Sequence, residues 1–338
     1  DAMEKFRDVH AVVAAYGITA LSIEVVPSGL INRTFRIIAE GGERYILQCL
    51  NPMFPGSVNR NIQTVADKMK AAGLPSISII PAPSGELAVK VNSRNWRLMD
   101  DLGGEAFDVM PDVDHAAAAS VALADFHMAL SDSGTDLRAL RDPVHVFYRH
   151  FEALRLALSN HQDHENFGAV KTYYEFIAAQ RCWKSETFDI QQPVHGDPKV
   201  SNVLFKKNAP EVVALIDLDT VGVASLAGEI GDAFRSWSAS GLEDDPTAHF
   251  RADIFIAAWD AYQQKTKLDQ TMEQVLDATA TIYLELAGRF ACDALRERYF
   301  GWDSSRFHSA GAHNLARCAG QLSVYRSLLT QRAEILER

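Results

Sequence analysis

The segment Pro193-Val-His195-Gly196-Asp197-Pro198-Lys199-Val-Ser-Asn202-Val-Leu-Phe205 gathers the residue types that phosphoryl chemistry uses, and Val213-Ala-Leu-Ile-Asp217-Leu-Asp219 follows it. Moving a phosphoryl group needs little covalent help. It needs a group that orients and deprotonates the attacking hydroxyl, and cations that neutralise the phosphate oxygens. A carboxylate in a tight loop can do the first. Mg²⁺, a hard ion that prefers oxygen ligands, can do the second when held by a carboxamide and one or two carboxylates.

Asp197 and Asn202 stand five residues apart in a loop that leads into a strand. The apolar run Val212 to Ile216 is expected to pair with Val203 to Phe205 as a hairpin, so that Asp217 emerges beside that loop. Three oxygen-bearing side chains then surround one point. An aspartate before a proline, taken alone, reads as a turn residue; the offsets to Asn202 and Asp217 make the catalytic reading of Asp197 the stronger one. Along Ile216-Asp217-Leu218-Asp219, strand alternation can put Asp219 on the face of Asp217, as a further metal ligand or as a surface acid. Lys199, two residues beyond Asp197, either reaches a transferring phosphate or faces solvent.

The first hundred residues can position such a site. Phe6 to Tyr16 has helical spacing, and strands are expected at Leu21 to Val26, Thr34 to Ile38 and Arg44 to Cys49. A helix is expected at Asn59 to Ala72, closed by Gly73 and Pro75, then strands at Ser76 to Ile80, Glu86 to Val91 and Asn95 to Met99. Beyond Asp101-Leu102-Gly103-Gly104 the chain turns mainly helical, with candidates at His115 to Leu130, Val144 to Ser159, Ala169 to Trp183, His249 to Lys265, Met272 to Leu295 and His313 to Leu336. The short β-rich insert Val194 to Thr220 carries the chemistry. The expected fold is α+β and bilobal: residues 1–102 form a β-rich N-lobe, a five-stranded antiparallel sheet with one packed helix, and residues 103–338 form a larger helical C-lobe.

The chain has 338 residues, 47% of them hydrophobic, enough for a large core. Its formal charge of -11 opposes binding to nucleic acid or an anionic membrane. Cys49, Cys182, Cys292 and Cys318 are scattered and suggest buried reduced thiols. No apolar run is long enough to span a bilayer, and the first residues lack a secretory signal pattern. The expectation is a cytoplasmic protein, monomeric or homodimeric.

The string His195-Gly196-Asp197, Asn202 and Ile216-Asp217 resembles the aminoglycoside phosphotransferase and choline kinase family, and within it the N-acetylhexosamine 1-kinases. Tyr45-Ile-Leu-Gln48, Gly231-Asp232-Ala-Phe-Arg235 and Arg289-Phe290-Ala-Cys-Asp293 add to the likeness. The resemblance implies an ATP- and Mg²⁺-dependent kinase acting on a sugar hydroxyl, with ATP in the cleft between lobes. It implies Asp197 as base, Asn202 and Asp217 as metal ligands, with Asp219 as a further candidate, and His195 as a structural member of the loop. It implies Asp232 as a brace of that loop. Ser28, Gly29, Asn32 and Thr34 would cover the phosphates, and Met99, Asp101 and Leu102 would form the hinge against adenine. Gln48 departs from the pattern, because kinase N-lobes put a lysine or arginine at this third-strand position. Lys199, Arg33 or Arg44 could compensate.

Arg289 and Asp293 lie four apart on a helix, either as an ion pair or as a polar wall of the sugar site. Tyr299 could stack on a sugar face. Other small alcohols remain alternative acceptors. A nucleotide-binding pseudokinase is the alternative that Gln48 motivates. A protein kinase is disfavoured, since no Ala-Pro-Glu element occurs and the connection from Asp217 to Asp232 is short.

Overall fold

The computed structural model describes residues 2–26, 32–52, 57–131, 135, 137, 144–180, 188 and 190–338, with backbone alone for 2–7. Helix α1 (Ala2–Ala15) precedes the antiparallel meander β1 (Ala20–Val26), β2 (Arg33–Ala39) and β3 (Arg44–Cys49). Helix α2 (Val58–Ala71) leads to β4 (Ile79–Ile80), β5 (Val89–Val91) and β6 (Arg94–Asp100). The sheet order is β1-β2-β3-β6-β4, with β5 also on β6. The sheet therefore has six strands rather than the expected five: β6 pairs with β3 and also with both short strands, β4 at Leu98–Met99 and β5 at Arg94–Trp96.

Side-chain alternation gives the sheet two different faces. Phe35, Ile37, Leu47, Cys49, Trp96 and Leu98 point one way and bury against Val9, Val12, Val13 and Tyr16 of α1. Their sequence neighbours Thr34, Gln48 and Arg97 point the other way, toward α2 and the second lobe. The polar positions of these strands are thus gathered on the side that faces the catalytic segment.

The second lobe is built from α3 (Val113–Leu130), α4 (Phe147–Asn160), α5 (Phe167–Ala179), α6 (Leu226–Trp237), α7 (Ala252–Thr266), α8 (Met272–Arg296) and α9 (Ala310–Leu336). Helix α8 is its centre, packed against α4, α5, α6 and α9. The starts of α3, α8 and α9 follow capping chemistry. Asp112 accepts the His115 amide, Thr271 and Gln274 form a capping box, and Ser309 accepts the Ala312 amide. Two ribbons stand against this bundle, β7 (Gln191–Val194) with β10 (Gly222–Ser225), and β8 (Val203–Phe205) with β9 (Val212–Leu215). The second is the expected hairpin; β7, β10 and α6 have no counterpart in the elements read from periodicity.

The lobes join at Asp101–Gly104. Asp101 accepts from Arg36 Nε at 2.9 Å, Arg44 Nη2 at 2.9 Å and the Gly103 amide at 3.1 Å. These donors outweigh burial and hold its carboxyl below the usual range. Gly103 and Gly104 have positive φ, and a Cβ on Gly104 would run into the Phe205 carbonyl. Glu105 and Phe205 exchange both backbone hydrogen bonds, tying the crossing strand to β8. Among the described residues no helix is long and apolar enough to cross a membrane.

Candidate active site

The loop between β7 and β8 carries the catalytic candidates, and α6 holds its backbone. Glu229 accepts the amides of His195 at 2.8 Å and Gly196 at 2.9 Å. About two turns further along α6, Ser236 accepts the Val200 amide and Trp237 donates to the Pro198 carbonyl. Gly196 has φ of 87°, and a Cβ there would collide with the Thr220 carbonyl. Only glycine meets both demands.

His195 is fully buried, and both its ring nitrogens are taken: Nδ1 receives the Asp197 amide and Nε2 contacts the Ile216 carbonyl at 2.9 Å. Its carbonyl accepts from Thr220 Oγ1. The ring ties the catalytic loop to the strand end that carries Asp217, and no ring nitrogen is left for proton transfer.

Asp197 keeps 29% of its side chain exposed and faces Lys199, whose Nζ lies 3.0 Å from Oδ2. The Asp197 carboxylate raises the Lys199 pKa. Asn202 Nδ2 donates to the Asp197 carbonyl at 2.8 Å and to Oδ2 at 3.2 Å, which leaves its amide oxygen for another partner. The Ile216 amide donates to the Asn202 carbonyl, which pairs the backbone of Asn202 with the residue next to Asp217. Asp217 adopts a left-handed backbone, φ 61° and ψ 57°, a conformation that costs a non-glycine residue roughly 1–2 kcal/mol and is characteristic of functional turns. Its pKa is pushed up to about 6, first by burial and then by the charges of Asp219 and Asp197. Such crowding of carboxylates is relieved by a cation.

The donor set fits a hard divalent ion that arrives with phosphates. Asp217, free of side-chain hydrogen bonds among the described residues, and the Asn202 oxygen are oxygen ligands of the type that Mg²⁺ takes with waters and phosphate. Among the described residues no three His, Cys, Asp or Glu side chains form a metal cage.

Several expected roles are reassigned by geometry. Asp219, expected as a possible metal ligand, accepts from Arg97 Nη1 at 2.5 Å and Nη2 at 2.9 Å, and from Asn32 Nδ2 at 2.7 Å. Its carboxylate is spent across the cleft. Asn32 itself bridges Asp219 and the Asn51 amide. Gln48 joins Thr34 to Arg97, donating to Thr34 Oγ1 and accepting from Arg97 Nε and Nη2. Asp232 does not brace the catalytic loop; it pairs with Arg235 at 2.9 Å and stands 3.7 Å from His145. The brace is Glu229, one turn earlier on the same helix. Asp293 makes no wall for a sugar. It accepts the amides of Arg298, Tyr299 and Phe300 and the Asn314 side chain, closing the end of α8. Arg289 stacks over Tyr299 and Phe300 instead of pairing with Asp293. Tyr299 is 59% exposed. Met99 is buried in β6, Asp101 anchors the lobe junction and Leu102 is 36% exposed beside it. Ser28 and Gly29 lie outside the described residues.

Arg97 and Glu229 are the residues that sequence reasoning missed. Arg97 sat in a strand read only for its apolar alternation. Glu229 shares a helical face with Ser236, seven residues on, and that spacing was the available signal.

The family model described as the phosphotransferase enzyme family matches residues 22–269. Solved structures share the fold across nearly the whole chain. An aminoglycoside phosphotransferase from Alicyclobacillus acidocaldarius is 14% identical, with 97% of this chain and 96% of that one covered and a TM-score of 0.63. A microcompartment-associated aminopropanol kinase is 14% identical, with 98% and 99% covered and a TM-score of 0.64. An amicoumacin kinase in complex with AMP-PNP, Ca²⁺ and its ligand is 13% identical, with 95% and 93% covered and a TM-score of 0.63.

Proposed function

The chain belongs to this phosphotransferase family, and from that premise we propose that it transfers the γ-phosphate of ATP to a hydroxyl of a sugar, the anomeric hydroxyl of an N-acetylhexosamine. The observation that carries the reading is the pairing of a partly exposed Asp197, oriented by Asn202, with the crowded carboxylate of Asp217. Asp197 takes the proton of the acceptor hydroxyl as that oxygen bonds to the γ-phosphorus and the bond to the ADP oxygen breaks. Lys199 holds the Asp197 carboxylate. Asn202 and Asp217 would hold a Mg²⁺ ion, which would neutralise the phosphate oxygens.

Arg289 and the exposed Tyr299 support the sugar, since a guanidinium beside an aromatic face suits hydroxyls and a pyranose ring. A cationic amino alcohol is the second reading. It is favoured by the likeness to an aminopropanol kinase.

The test is ADP release with Mg-ATP against sugars, N-acetylhexosamines, amino alcohols and aminoglycosides, with Asp197→Asn alongside. Turnover confined to N-acetylhexosamines and lost in the variant supports the reading. Turnover with amino alcohols alone replaces the acceptor, and no turnover with any acceptor removes the proposal.

A further inference from the structure

Gln48 occupies the strand position at which a kinase carries its phosphate-binding cation, and it has no charge. Directly opposite it in the β3–β6 register stands Arg97. Side chains at paired positions lie side by side on one face, so the guanidinium of residue 97 reaches the space that a lysine at 48 would serve. Among the described residues it is the only buried cation of the sheet lobe, at 1% exposure. The alternatives are occupied or remote: Arg44 holds Asp101, Lys199 holds Asp197, and Arg33 is exposed.

The partners of Arg97 divide into two kinds. Gln48 Oε1 accepts from Nε at 3.0 Å and from Nη2 at 2.6 Å, and Asn59 Oδ1 of α2 accepts from Nη1 at 3.3 Å. These neutral amides aim the guanidinium without cancelling its charge. The one anion on it is Asp219, which belongs to the other lobe and stands two residues beyond Asp217. Together these contacts use all five N–H donors of the guanidinium. A phosphate can bind there only by taking the two positions that Asp219 now fills.

We propose that Arg97 is the cation that holds the nucleotide's phosphates, and that it does so by exchanging the Asp219 carboxylate for them. The guanidinium fork accepts two phosphate oxygens in the geometry it now offers to two carboxylate oxygens. Breaking a buried pair without replacing it leaves an uncompensated charge on each side. Here phosphate replaces the charge on Arg97, and a divalent ion beside Asp217 replaces the charge on Asp219. Nucleotide and metal therefore have to enter together.

The inference rests on the kinase reading, so the test uses nucleotide binding alone, without acceptor. Titration calorimetry with MgADP, metal-free ADP and adenosine is run on the wild type, on Arg97→Gln, and on Arg97→Gln combined with Gln48→Lys, with circular dichroism to confirm folding. The expected result is a loss of MgADP affinity of roughly 10- to 100-fold in Arg97→Gln, with adenosine affinity unchanged. At least part of the loss returns in the double variant, where the charge stands on the neighbouring strand. Wild-type ADP should bind much more weakly without metal than with it. If Arg97→Gln is unfolded, Arg97→Lys keeps the charge without the fork, and a MgADP affinity between wild type and the non-binding limit is expected. Equal MgADP affinity in wild type and a folded Arg97→Gln overturns the proposal, as does an equal loss for adenosine and MgADP, or a double variant that recovers nothing. A wild type that does not bind MgADP overturns the kinase reading itself.

Discussion

Replacing Glu229 with glutamine tests whether α6 holds the catalytic loop as the structure indicates. The carboxylate is 1% exposed and accepts two backbone amides, from His195 and Gly196, and it also contacts His127 Nε2 at 3.2 Å. Glutamine keeps one acceptor oxygen and turns an NH₂ group toward a donor, so one buried amide loses its partner. Losing a charge-assisted bond and stranding its donor costs about 2–4 kcal/mol. With an unfolding entropy of about 2 cal/mol/K per residue, the 338-residue chain loses roughly 3–6 °C of Tm. The pH dependence gives a second check. Burial tends to raise the Glu229 carboxyl, but His127, His195 and the Gly196 amide outweigh it and the net shift is downward. A group whose folded pKa is depressed stabilises the fold above its unfolded pKa, and that stability is lost as pH falls through the folded value. The melting difference between wild type and Glu229→Gln should therefore be full at neutral pH and shrink on acidification below about pH 4. Turnover at neutral pH should fall with nucleotide affinity retained, because the loop that orients Asp197 is loosened. Differential scanning fluorimetry from pH 3 to 8, with an ADP-release assay at neutral pH, measures all three. A variant that melts with the wild type at pH 7 and turns over normally refutes the bracing argument.

Asp197→Asn should lower turnover by roughly 10²- to 10⁴-fold and leave MgADP affinity within a few-fold, read by ADP release and calorimetry. Asp232→Ala should destabilise the fold by about 3–5 kcal/mol, because it leaves Arg235 buried at 4% exposure without its closest carboxylate; chemical denaturation measures it. Gly196→Ala should cost activity more than stability, since its φ of 87° and the Thr220 carbonyl both resist a Cβ and the loop must shift to accept one. Treatment with a chelator should abolish turnover and added Mg²⁺ should restore it, whereas zinc-selective chelation should change nothing, as the candidate ligands are oxygens.

Legibility in the sequence followed distance along the chain. Asp197, Asn202 and Asp217 lie within one hairpin, so spacing alone brought them together. The sheet was readable because alternation marks its buried face, as in Phe35 and Ile37 or Trp96 and Leu98. The starts of α3 and α9 lie two and three residues ahead of the expected His115 and His313, where Asp112 and Ser309 cap them, whereas α8 starts at the expected Met272. Arg97 and Glu229 were not readable, because their meaning lies in partners 122 and 34 residues away. An arginine in an apolar strand and a glutamate in a helix look ordinary until the fold supplies those partners. The same is true of Asp293, whose helix spacing to Arg289 suggested a pair, while the loop that follows α8 claimed its carboxylate first.

Asp101 sets how the two halves can swing. By clasping Arg36 of β2 and Arg44 of β3, it makes the outgoing chain part of the sheet, so the strands rotate as one plate rather than shearing. The next anchored point is Glu105, locked to Phe205. The pivot is therefore confined to Leu102, Gly103 and Gly104, a wrist of three residues, two of them glycines that already sit at positive φ. A short wrist between rigid grips permits rotation about a narrow axis and little sideways drift. Domain closure on the microsecond-to-millisecond scale would then carry Arg97 toward or away from Asp219 along a single arc.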